Sequence, residues 1–269
     1  MKSIYSFSFF KNIILILCIL TYYSLGCIER SVDSIVDKRT GIPIKWAPDS
    51  YMFPDSWNQH PIHASAKPLK KNRVKHHLKI IKVAMNKYPR ELLRKHLRKI
   101  YLLDSIHFYG LRYGGTNSTD TLYLTNNGAK EGYTDKYLEG AFHHELSSIL
   151  LRENENLLNS RYWHLSNPPD FHYGEGGAAA LKNGKSGLKL EEKYFKMGLL
   201  CEYSMASIEE DFNVYAQELF TDNNIFNIAG KHPRVRNKLS IMINFYNKLD
   251  SRYTEKAFYQ IGSRKKPGL

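Results

Sequence analysis

Cysteine is scarce in this chain of 269 residues, with three in all. Cys18 and Cys27 lie close to the N-terminus, so Cys201 stands alone in the body of the protein. A chain destined for an oxidising compartment would then have no internal disulfide, and a hydrophobic core must hold it. Long apolar runs are also missing. Asn12 to Leu20 is the main one, too short to cross a bilayer comfortably. Acids are few: 26 Asp and Glu face 39 Lys and Arg, for a net charge of +13. Internal repeats and low-complexity tracts are absent. Gly114-Gly115 is followed by neither a helix start nor a Lys-Ser/Thr pair, which excludes a phosphate-binding loop.

The N-terminus reads as an export signal. Lys2 and Lys11 precede the short apolar core, and Ser24-Leu25-Gly26-Cys27 follows it. A small residue before cysteine is the layout of a lipoprotein signal, cleaved ahead of Cys27 and acylated on it. Ile28 follows in place of the Asp that retains such proteins at the inner membrane, so the expected location is the outer membrane, lipid-anchored. The division expected is 1–26 signal peptide, 27–67 tether and irregular lead-in, and 68–269 a folded domain.

Most of the net charge sits in residues 68–99, where Glu91 is the lone acid. An exported lipoprotein rarely meets nucleic acid, so no nucleic-acid partner is expected. A solvated helix face is the plain reading of these charges. Attraction to anionic headgroups or acidic glycans is the sharper one.

Apolar spacing predicts a helix over 71–87 through Val74, Leu78, Ile81 and Met85, and a second from Arg90 to about Lys99. Two strands are expected, one over Ile100–Tyr109 and one over Thr121–Thr125, joined by a turn over Gly114–Ser118. Thr134 reads as the N-cap of a helix running to about Arg152. An irregular stretch over 160–189 follows, then helices near 191–204, 208–220 and 231–248, with Ser207 capping the middle one. The fold class expected is α+β, mainly helical, with a small sheet beside the helix that starts after Thr134.

That helix carries Phe142-His143-His144-Glu145-Leu146-Ser147-Ser148. In a zinc-peptidase helix, two histidines four apart face one way and grip the metal, and the Glu after the first activates the bound water. His144 and Glu145 supply the first half. Ser148 stands where the second histidine belongs. A later helix offers Glu209, Glu210 and Asp211 in its first turn, where acids also serve the helix dipole.

These blocks resemble the zinc-metallopeptidase-like lipoproteins that accompany glycan and nutrient import systems. The likeness extends over the basic helices, Gly-Gly-Thr and Tyr-Leu-Thr, Ala-Phe-His-His-Glu-Leu-Ser-Ser-Ile-Leu-Leu, Asn-Pro-Pro-Asp-Phe-His-Tyr-Gly and Glu-Glu-Asp-Phe-Asn. More distantly they are similar to lethal-factor-type metalloproteases. The resemblance implies a zincin-like fold, a zinc cofactor, His144 and Glu210 as ligands, Glu145 as general base and Tyr203, seven residues before Glu210, as the oxyanion donor. With Ser148 in the motif, His143, His172 or Asp211 would complete the metal's coordination. The function implied is zinc-dependent peptide-bond hydrolysis on a peptide or protein substrate. The alternative, from another class, is a catalytically degenerate subunit that binds or assembles with import-system proteins.

Overall fold

The structure, a computed structural model, describes residues 33–263. The export signal and Cys27 lie outside the described residues. A seven-stranded mixed sheet is built around one long strand. β1 (Ser34–Val36), β2 (Pro43–Lys45) and β3 (Ser65–Pro68) precede it, β4 (Lys99–Phe108) is its centre, and β5 (Leu111–Tyr113), β6 (Gly115–Asn117) and β7 (Thr121–Thr125) follow. The order is β1-β2-β4-β7-β6, with β3 and β5 pairing the far half of β4. β4 runs parallel to β2 and β7, and β6 closes one edge antiparallel to β7.

β4 is the single strand expected over Ile100–Tyr109, and it runs unbroken through Asp104 and Ser105. Ser105 pairs with Lys67, and Asp104 accepts from Arg73 at 3.0 Å. Ile100 to Leu103 are all fully buried, the mark of a strand covered on both faces. Alternate side chains go opposite ways. Ile100, Leu102, Leu122 and Leu124 join the main helical core, while Tyr101, Leu103 and Tyr123 enter a second cluster with Met52, Phe53 and Phe108. Phe53 packs 5.1 Å from Tyr123 and 5.5 Å from Phe108. Residues 34–68 therefore belong to the folded unit. The tether reading of 27–67 misses three strands and the aromatic cover of one sheet face.

The helices pack on the other face. α1 (Lys71–Met85) and α2 (Arg90–His96) lead into β4, and α3 (Asp135–Glu153) follows β7. Thr134 caps α3 by accepting from the Tyr137 amide at 3.3 Å. α3 is buried on nearly every side, which a central helix requires. α4 (Ser160–Leu165), α5 (Gly177–Lys182) and α6 (Glu192–Phe195) are short. The helix expected over 191–204 breaks at Gly198, whose φ of +79° no helix holds and whose added Cβ would lie 2.7 Å from the Ser166 carbonyl. α7 (Ile208–Thr221) packs along α3, with Ser207 accepting from the Glu210 amide at 3.1 Å. α8 (Asn224–Lys231), α9 (Pro233–Leu249) and α10 (Glu255–Ser263) close the described chain; α8 and α10 were not anticipated. No helix among the described residues is long and apolar enough to cross a membrane.

Candidate active site

α3 brings His144 and Glu145 to the sheet edge formed by β6. The first turn of α7 supplies Glu210, and a 3-10 turn at Tyr203–Met205 supplies Tyr203. The sequence separation of 66 residues closes to a 3.0 Å contact between His144 Nε2 and Glu210 Oε2. The Tyr203 ring stacks beside His144, centroids 6.1 Å apart. Four of the expected site residues, His144, Glu145, Tyr203 and Glu210, thus share one place, and all but Glu210 line a cavity of about 180 Å³. Gly177 makes room for it: a Cβ there would lie 2.1 Å from Glu210 Oε1 and 2.3 Å from the Tyr203 hydroxyl.

The charges follow from burial. Burial pushes the Glu145 carboxyl up to about 7, against the pull of His144 and of the Asn117 amide, which donates to Glu145 Oε2 at 2.8 Å. Glu210 and Glu209 repel it further. Burial alone would lower the His144 imidazole, but its bond to Glu210 and the nearby carboxylates raise it above the ordinary value. Burial and the Glu210 charge drive the Tyr203 phenol well up, so it stays a neutral donor. Chemically, the pocket holds a proton between His144 and Glu210, a second carboxyl poised near neutrality, and a hydroxyl donor.

Other expected residues are placed elsewhere. His143, one residue from His144 and so about 100° round the helix, points to the far side of α3. Its Nδ1 meets the Tyr88 hydroxyl at 2.9 Å and its ring stacks on Phe220 at 4.9 Å. Asp211 is wholly buried and ion-paired with Lys238 at 2.6 Å, taking further bonds from Tyr173 at 2.7 Å and Trp163 at 3.0 Å. His172 lines a separate cavity with Glu175, Lys185 and Glu202. None of the three reaches His144.

Two neighbours were not anticipated. Asn117, at the end of β6, orients Glu145 and is itself held by Arg152 at 3.1 Å. Glu209, read as a dipole acid, accepts a hydrogen bond from Ser148 Oγ. Its position next to Glu210 on a capped helix was the available signal.

A catalytic zinc centre takes three protein donors and leaves a position for water. His144 and Glu210 fit two of these. Ser148, one turn beyond His144, has its hydroxyl engaged by Glu209, and metal ligation needs the imidazole deprotonated, whereas Glu210 favours its protonated form. No group of three His, Cys, Asp or Glu side chains among the described residues is placed to hold a metal ion. The residues present do not fit a three-donor zinc centre.

No family model and no curated protein matches this chain. Among solved structures it is similar to one described as a "putative zinc-binding metallo-peptidase" from Bacteroides caccae, at 18% identity and a TM-score of 0.51. The alignment covers 83% of this chain and 85% of that one. At that identity the likeness is one of fold alone, an α+β fold shared over most of both chains.

Proposed function

We propose that this protein is a metallopeptidase-fold lipoprotein whose cleft binds an extended peptide segment without hydrolysing it. The observation that carries this reading is the pairing of His144 with Glu210 while Ser148 is tied to Glu209. That arrangement spends on hydrogen bonds the groups a zinc peptidase spends on metal. Peptide binding is supported by β6, an edge strand whose Gly115 borders the cavity. A peptide added as a further strand would pass beside Glu145, its backbone satisfied by the open edge.

Glu145 and Tyr203 are then binding groups: a phenol that donates to a peptide carbonyl, and a carboxyl that, with a pKa raised to about 7, can donate to a carbonyl when protonated and accept from a peptide amide when ionised. One observation favours a hydrolytic second reading, the Glu145 carboxyl held near 7, suited to taking and returning protons at neutral pH. Zinc, when bound, would supply a polarised carbonyl and an activated water. The two readings part on one substitution. Ser148→His supplies the missing donor type. Wild type should cleave a mixed peptide library in zinc buffer no faster than His144→Ala, while Ser148→His should exceed both. Cleavage by wild type that disappears in His144→Ala overturns the binding reading.

The same proposal anchors the chain in the outer membrane through acylated Cys27, on the strength of the layout of residues 1–27. Association with a nutrient import system rests on the sequence resemblance. Mass spectrometry of the membrane-extracted chain should find an acylated Cys27 at its start; a mature terminus elsewhere contradicts the anchor.

A further inference from the structure

The charge of α1 is arranged along a line. At about 100° per residue, Lys71, Lys75, Lys79 and Lys82 fall within an arc of about 80° and extend over about 16 Å. All four are exposed, and Ile80, Ile81, Ala84 and Met85 face the core from the other side. The segment's ion pairs with described residues are made by Arg73, His76, Lys87, Arg90 and His96. Lys71, Lys75 and Lys82 take no part in them.

Apart from Lys82, whose place in the last turn suits the dipole, this pattern works against the helix that carries it. α1 begins with Lys70 as a cap that makes no side-chain bond, then Lys71, and has no acid in its first turn. Cations at a helix N-terminus oppose the dipole, and like charges four apart repel. A solvated face chosen for solubility would mix signs. A local arrangement that costs stability points to an external partner.

The stripe continues into a basic hollow. Asn86 extends the line, and with Arg39, Arg90 and Arg252 it borders a cavity of about 420 Å³ at the end of α1. Arg39 is fixed there by donating to the carbonyls of Met85 and Tyr88, at 2.7 and 3.1 Å. Arg252 is partly neutralised by Asp250 at 2.7 Å. A row of lysines ending in a hollow of headgroup size suits a sheet of phosphates.

We propose that α1 and the adjoining hollow dock the protein on anionic phospholipid headgroups. The membrane in question rests on the anchor proposed at Cys27. Six residues separate Cys27 from Ser34, seven steps with a reach of at most about 25 Å, so an acylated chain keeps its folded unit near the headgroups. The compartment disfavours nucleic acid, the other partner such a row would suit.

Residues 28–269, which contain every core residue, should co-sediment with phosphatidylcholine vesicles carrying about 30 mol% phosphatidylglycerol, and not with pure phosphatidylcholine. At about fivefold per lysine, the variant K71Q/K75Q/K79Q/K82Q should bind several hundred-fold more weakly, with an unchanged circular dichroism spectrum. About 0.5 M NaCl should release wild type. Equal binding to neutral vesicles, wild-type binding by the folded variant, or displacement by duplex DNA at lower phosphate concentration than the vesicles would each overturn the proposal. The fragment lacks Cys27, so these outcomes are separate from the fate of the anchor.

Discussion

Replacing Lys238 with Met tests how the molecule is held together behind its cleft. Lys238 and Asp211 are both 0% exposed and 2.6 Å apart. Burial pushes Asp211 up and Lys238 down, each toward neutrality, so desolvation outweighs pairing for both. Such a pair adds little net stability, yet removing one partner strands the other. In Lys238→Met, Asp211 keeps the donors Trp163 and Tyr173 but loses its countercharge, and Asn167 loses the ammonium 2.5 Å from its carbonyl. The expected cost is about 3–5 kcal/mol. For a domain of this size that lowers Tm by about 6–20 °C. Calorimetry with urea unfolding at pH 7 measures it. The double variant K238M/D211N removes the stranded charge and should recover most of the loss, because Asn accepts the same two hydrogen bonds. A loss below about 1 kcal/mol for the single variant, or no recovery in the double, refutes the claim that charge burial governs this cluster.

Glu139 gives the pH dependence. Burial alone would raise its carboxyl, but His143 and Lys87, the latter at 2.6 Å, outweigh it and hold it down at about 2. A depressed acid stabilises the fold above its unfolded value near 4.5 and loses that contribution as pH falls toward 2. Urea midpoints should therefore drop through that window by an amount worth about 2–3 kcal/mol, and Glu139→Gln should flatten the drop. Gly177→Ala places a Cβ where Glu210 and Tyr203 already lie, at 2.1 and 2.3 Å. Both side-chain ends must swing away at a stability cost of about 1–2 kcal/mol. The His144 imidazole should then titrate lower in NMR, having lost the carboxylate that holds its proton; an unchanged titration contradicts the pairing.

Much of the framework could be read before folding because its signals are local. α1 and α2 announce themselves by apolar spacing, and Thr134 and Ser207 mark the starts of α3 and α7, which the backbone confirms. The tertiary parts were hidden. Nothing in residues 46–64 says that Phe53 and Trp57 cover Tyr123, since that depends on which face of β4 is left bare. Glu91 and Glu209 look alike as first-turn acids, yet only Glu209 meets a serine brought by another helix. His143 and His144 differ by one position, and helix geometry alone separates a core histidine stacked on Phe220 from one in the pocket.

On the proposed reading, hydrogen bonds take the place of metal coordination around His144. Isothermal titration of zinc into residues 28–269 at pH 7, beside His144→Ala and Ser148→His, tests it most directly. Wild-type binding should be no tighter than about 10 μM, little above His144→Ala, with a gain of at least about tenfold in Ser148→His as a third donor arrives. One zinc per wild-type chain at nanomolar affinity, lost in His144→Ala, would contradict that reading.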